Sequence, residues 1–265
     1  MLSLKKARFP GRYLSILAGI FFLTGQAMAL NLSPAEYAKI SARIWKNECA
    51  GTINGLTSWN RGEDFASMGI GHFIWYPAGK HGPFEESFPE MIAFLKRQGA
   101  SVPKWVVPVP PCPWKTRQDF MANFNGSQMR SLRNFLANTV SLQGRFLAER
   151  LENALPKMLG AVSASERERI RANFYRVAET PAGMYGLIDY VNFKGEGTLD
   201  TERYAGRGWG LLQVLEGMQQ SGPAVNEFSK SAARVLEQRV RNSPRERREN
   251  RWLPGWLHRV ASYRS

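Results

Sequence analysis

Two stretches of helical periodicity flank a segment that cannot continue either of them. Thr52 to Pro89 holds Gly55, Gly62, Gly69, Gly71, Gly79 and Gly82 among Trp, Phe and Pro residues, directly after Gly51. Each glycine inside a helix costs about 1 kcal/mol relative to alanine, so loops with short strands, not long helices, are predicted there. Upstream, Ser33-Pro34-Ala35-Glu36 reads as a helix start. Ser33 is the N-cap, Pro34 takes the first turn and Glu36 closes a capping box. Tyr37, Ile40 and Ile44 form the apolar stripe of this helix, which is predicted to run to about Glu48 and stop near Gly51.

Downstream, Pro103 to Trp114 is proline-rich and reads as an extended connector. From Arg117 to Ala161 the pairs and triplets Phe120/Phe124, Leu132/Phe135/Leu136 and Phe146/Leu147/Leu151 predict at least three helices. Further helices are expected over Ser165 to Glu179, Gly183 to Asn192, Leu211 to Gly217 and Pro223 to Asn242. The run from Arg245 to Arg264 is basic, with Trp252, Trp256 and Tyr263 interleaved; for Arg245–Arg259 a solvated helical face is the simplest reading, and holding the protein near an anionic wall is the alternative. No repeat divides the chain. The expected architecture is mainly α with a small β/loop lobe, an α+β domain spanning residues 30–265.

Residues 1–29 have the three parts of a secretory signal peptide: Lys5, Lys6, Arg8 and Arg12, an apolar run from Leu14 to Leu23, then Ala27-Met28-Ala29. Cleavage is expected after Ala29. The chain carries 36 Lys+Arg against 22 Asp+Glu, a net charge of +14, and removing the four N-terminal cations leaves 14 − 4 = +10. An exported basic protein, periplasmic or secreted, is expected to meet an anionic envelope polymer rather than nucleic acid. No later run is long enough to be a transmembrane segment. In an oxidising compartment Cys49 and Cys112 can form a disulfide closing a loop of roughly 60 residues, worth up to about 4 kcal/mol. His72, His81 and His258 lack metal-ligand spacing, so no metal or other cofactor is expected. His72, after a glycine turn, reads as structural.

Glu48 lies four residues beyond Ile44 on the apolar stripe, at a helix C-terminus. Desolvation and the negative end of the helix dipole both oppose ionisation there, which suits a general acid near neutral pH. It opens the series Glu48-Cys49-Ala50-Gly51, followed by Arg61-Gly62-Glu63-Asp64-Phe65-Ala66-Ser67-Met68-Gly69-Ile70-Gly71-His72. A helix-terminal Glu, a glycine-rich lobe with carboxylates and a Gly-Ile-Gly-His turn behind a hydroxyl residue resemble the lysozyme-like superfamily. Phage-type lysozymes are the nearest likeness and chitosanases a more distant one. The resemblance covers about thirty residues. It implies Glu48 as general acid, Glu63 or Asp64 as second carboxylate, and Ser67 as the hydroxyl, where phage lysozymes usually carry Thr. Glu48 to Gly69 spans 21 residues, longer than in those enzymes, which implies an insertion and leaves the second carboxylate open between Glu63 and Asp64.

The expected activity is that of a glycosidase, a hydrolase of peptidoglycan in the cell wall. One carboxyl protonates the leaving oxygen, and the other activates water or stabilises an oxocarbenium-like transition state. Trp59 and Tyr76 are candidate walls of the cleft, and Phe73 is expected in the core. By analogy with such enzymes, Asn192, Glu196 and Gln213 in the second glycine-rich region are candidate substrate-binding residues, with Glu196 a reserve carboxylate. A lytic transglycosylase needs only Glu48, with the sugar's own hydroxyl attacking. A chitosanase fits less well, because chitosan is itself cationic. A non-catalytic glycan-binding protein is the alternative outside enzymes.

Overall fold

Ser33 starts the first helix as its sequence predicts: its hydroxyl accepts from the Glu36 backbone N–H at 3.3 Å, and Glu36 Oε2 accepts from the Ser33 N–H at 2.7 Å. The computed structural model describes residues 32–82 and 84–264. The signal-peptide reading of residues 1–29 lies outside them. Helix α1 runs Pro34–Cys49 and ends at Ala50, which adopts the left-handed conformation. Ile40 and Ile44 are buried on the expected stripe, which faces the interior.

The glycine-rich segment then forms a small antiparallel sheet, β1 (Thr57–Ser58), β2 (Ala66–Met68) and β3 (Phe73–Trp75), in the order β1-β2-β3. Ser67 pairs with Ser58 on one side and with Ile74 on the other. Helix α2 (Phe88–Arg97) follows. The glycine- and proline-based reading ended at Pro89 and passed over this helix, yet Pro89 occupies its first turn and Phe88, Met91, Ile92 and Leu95 are buried at helical spacing. Within the proline connector, Lys104–Val106 makes one 3-10 turn, and Trp105 and Trp114 pack around Trp75.

The predicted helical region contains α3 (Arg117–Ala122), α4 (Ser127–Asn138) and α5 (Val140–Gly160). Helix α5 packs on α1, α2, α7 (Pro181–Lys194) and α6 (Ala164–Ala178). It meets α1 closely at Gly144, where a Cβ would stand 1.8 Å from Ser41 Oγ and 2.9 Å from Ser41 Cβ, so glycine is needed for this contact. Strands β4 (Arg203–Tyr204) and β5 (Arg207–Gly208) form a two-stranded ribbon. Then come α8 (Leu211–Glu216), α9 (Ala224–Asn242) and α10 (Leu253–Ala261). One connected cluster of buried apolar side chains runs from Ile40 through the sheet and the helices to Tyr263. The described residues are thus mainly helical with two small sheets, and none of their helices is long and apolar enough to cross a membrane.

The expected disulfide is not formed. Cys49 and Cys112 are both free and buried. Cys49 Sγ approaches the Gly69 carbonyl at 3.6 Å, whereas Cys112 sits beside Pro77 in an isolated bridge. Sequence spacing permitted a pair, but the fold commits each thiol to a different apolar neighbourhood.

Candidate active site

Glu48 occupies the last turn of α1, where the helix meets the β-lobe. Three contacts fasten this junction. His72 Nε2 lies 3.1 Å from the Glu48 carbonyl; a carbonyl only accepts, so Nε2 carries the proton. Gly69 donates its backbone N–H to the Leu56 carbonyl at 2.8 Å. Gln143, fully buried on α5, accepts from the Ile70 N–H at 2.9 Å and donates to the Leu136 carbonyl at 2.7 Å. Gly69 needs to be glycine twice over: its φ is +69°, and a Cβ would fall 2.3 Å from Gln143 Oε1. His72 has the structural role expected of it.

The Glu48 side chain meets a cation rather than apolar surface. Its Oε1 accepts from Arg259 Nη2, with the Glu48 side chain 15% exposed and that of Arg259 16% exposed. Arg259 also donates to Asp189 from Nε and Nη2, both at 2.8 Å, in a bidentate pair. Tyr263 donates its hydroxyl to Asp189 Oδ2 at 2.6 Å. Asp189 is fully buried, so the two charges of the inner pair compensate each other where water cannot. The anions Asp189 and Glu48 hold the guanidinium charged against the cost of its burial. The Tyr263 phenol is pushed well above its usual range, first by burial and then by Asp189, so it remains a donor. Arg259 also stacks on Phe193, with its guanidinium 4.0 Å from the ring centroid.

The reading of the C-terminal basic run as a solvated face holds for Arg245, Arg247, Arg248 and Arg251, which are exposed, and is corrected at Arg259. Arg259 points inward, and sequence reasoning missed it together with Asp189 and Tyr263. One signal was available: Trp252, Trp256, Arg259 and Tyr263 recur at spacings of four, three and four, a helical stripe that includes the arginine.

The other predicted residues lie in several places. Glu63 and Asp64 belong to the loop joining β1 to β2. Glu63 accepts from Asn60 Nδ2 at 3.1 and 3.2 Å, and Asp64 is exposed with Lys80 Nζ 3.6 Å from Oδ1. Ser67 is buried in β2. Trp59 and Tyr76 belong to the core instead of a cleft wall. Trp59 is 5% exposed and donates from Nε1 to the Glu63 carbonyl at 2.7 Å. Tyr76 is 6% exposed, and its ring meets Phe65 edge-on. Flanking Gly and Pro do not imply exposure when the aromatic is itself the core of a small lobe. Phe73 is in the core, as expected.

In the second glycine-rich region, Asn192 is half-buried in the last turn of α7, one turn beyond Asp189. Glu196 Oε1 pairs with Lys157 Nζ at 3.2 Å. Gln213 is committed to structure: it accepts from the Gly210 N–H at 2.9 Å and donates to the Gly197 carbonyl at 3.1 Å, clamping two glycine turns together. Of the predicted set, only Glu48 joins the buried ion network.

Comparison of the chain with protein-family models, with curated proteins and with solved structures gave no match. The reading of the site therefore rests on its own geometry.

Proposed function

We propose that this chain is an exported glycosidase with a lysozyme-like arrangement, cleaving the glycan strands of peptidoglycan with Glu48 as general acid. The observation that carries this reading is the fixation of Glu48. Its backbone is bound to the Gly69–His72 turn through His72, and its side chain is bound to a guanidinium that Asp189 already orients through two hydrogen bonds. A carboxyl at the junction of a helical body and a β-lobe, held from both sides, is preorganised for proton transfer. Because the Arg259 pair favours the charged form, the reading rests on this placement and requires Glu48 to take up a proton before it acts as acid. Arg259 engages one oxygen of Glu48 and reserves its two-point contact for Asp189. Glu63 or Asp64 supplies the second carboxylate in this mechanism, activating water or stabilising the cationic transition state. A strongly basic chain suits a polymer that carries carboxylates and is periplasmic or extracellular.

A second reading draws on where those two carboxylates are held. Glu63 is tied to Asn60 on the β1–β2 loop and Asp64 faces Lys80, so each has its own partner there. That favours a transglycosylase, with Glu48 acting alone and the sugar's own hydroxyl attacking.

The test is the release of soluble fragments from purified peptidoglycan by the full chain and by Glu48→Gln, with circular dichroism showing that both are folded. Release by the wild type alone supports the proposal. Binding without release makes the chain a glycan-binding protein, and equal release by both removes Glu48 from the chemistry.

A further inference from the structure

A line of contacts leads from the Glu48 carboxylate to the surface. Arg259, against Glu48, lies over the Phe193 ring at 4.0 Å. Phe193 meets Trp256 edge-on with centroids 6.3 Å apart, and Trp256 meets Trp252 with centroids 6.1 Å apart and planes inclined by 31°. The spacing 252, 256, 259 places the three residues on one face of α10 and of the turn that begins it. Trp252, at 42% exposed, is among the few large hydrophobic side chains at the surface of the described residues. Trp256 is half-buried, with Lys194 Nζ 3.4 Å from its ring centroid on one side. The indoles are thus braced from within and exposed at the outer end.

The charge around them has one dominant sign. Arg251 lies over the Trp252 ring at 4.4 Å, and Arg239 lies 5.0 Å from the Trp256 ring. In the approach to α10, Arg245, Arg247, Arg248 and Arg251 are exposed against one exposed acid, Glu246, whereas Glu249 is buried and held by Arg239 at 2.8 Å and Arg247 at 3.5 Å. Flat indole faces match the apolar faces of pyranose rings, and arginines beside them match carboxylates carried on those rings.

We infer that Trp252 and Trp256, with Arg251 at the rim, form a binding platform for an anionic glycan strand, aligned with Glu48 along the face of α10. This rests on the glycan reading above and adds a subsite to it: consecutive sugars stack on the two indoles while Arg251 takes a carboxylate substituent. Trp252 touches no part of the Glu48 network directly, so its contribution is to affinity.

The experiment uses the full chain carrying Glu48→Gln, so that ligand is not consumed, and isothermal titration calorimetry with three probes. These are soluble muropeptides, a neutral chitooligosaccharide and phosphatidylglycerol vesicles. Trp252→Ala is expected to weaken muropeptide binding about tenfold, with Trp252→Phe recovering most of the loss. Arg251→Ala is expected to weaken binding of the muropeptide more than that of the neutral oligosaccharide. Unchanged melting temperatures separate these effects from unfolding. Muropeptide affinity indifferent to Trp252→Ala overturns the platform, even if wild-type protein cleaves peptidoglycan. Trp252-dependent binding to vesicles with none to muropeptides also overturns it, in favour of a membrane surface. Trp252-dependent muropeptide binding by a wild type that releases no fragments supports the platform and removes the hydrolase reading.

Discussion

Arg259 and Glu48 are 211 residues apart in the chain and form a largely buried ion pair at the junction of α1 and α10. The same guanidinium is anchored to Asp189 on α7, so one side chain ties three helices to the candidate catalytic carboxyl. Removing it leaves Asp189 in the core without a counter-ion, its remaining partner the Tyr263 hydroxyl. Arg259→Leu is therefore expected to destabilise the chain by about 3–5 kcal/mol in urea melts. Glu48→Gln is expected to cost far less, because the inner pair survives. Equal losses in the two variants would show that Asp189 is not the principal partner.

The Gly69–His72 turn depends on Gln143. Gln143→Leu leaves the Ile70 N–H without its partner in a buried site, while the Leu136 carbonyl still accepts from Thr139. With one buried group left unpaired, the variant is expected to lose about 1–3 kcal/mol. Hydrogen exchange should locate the loss at Ile70. An unchanged melt would mean that water or a rearranged neighbour replaces the amide.

Lys194 is desolvated at the end of α7, which lowers its pKa to about 6. Arg239 and Arg259 reinforce the shift, while Glu249 and Glu48 oppose it, as do its ring contacts with Phe193 and Trp256. A lysine depressed in the folded state binds fewer protons there than in the unfolded chain, whose lysine titrates near 10.4. Its contribution to stability thus rises with pH from about 6 to about 10. Lys194→Met is expected to raise the urea midpoint at pH 7 and to flatten its increase across that window. A wild-type midpoint already flat there would contradict the desolvated lysine.

Both cysteines are free, and burial pushes each thiol up to about 12. Such thiols react slowly because little thiolate is present. A thiol reagent is expected to titrate neither in the native chain at pH 8 and both after denaturation without reductant. Finding no thiols in the denatured chain would establish the bridge that the structure lacks.

Local rules made much of the scaffold legible. The Ser33/Glu36 capping box, the glycine-dense lobe, Pro223 before α9 and the helices within Arg117–Ala161 each follow from spacings of a few residues. Burial in the lobe was less legible, because Trp59 and Tyr76 are enclosed by residues distant in sequence, such as Phe120, and by side chains across the sheet and loops. Least legible was the ion network. Glu48 was identifiable from its place at a helix end, but Arg259 belongs to a run whose average charge suggests solvent. Only its position on the Trp252–Trp256 stripe sets it apart, and only tertiary packing brings it to Asp189.

The central claim is that Glu48 protonates a glycosidic oxygen of peptidoglycan. Mass spectrometry of the fragments released from purified peptidoglycan, by wild type and by Glu48→Gln in parallel, tests it most directly. The account predicts muropeptides bearing the mass of one added water from wild type and none from Glu48→Gln; fragments lighter by one water would select the transglycosylase reading. No fragments from wild type, or the same fragments from Glu48→Gln, would contradict it.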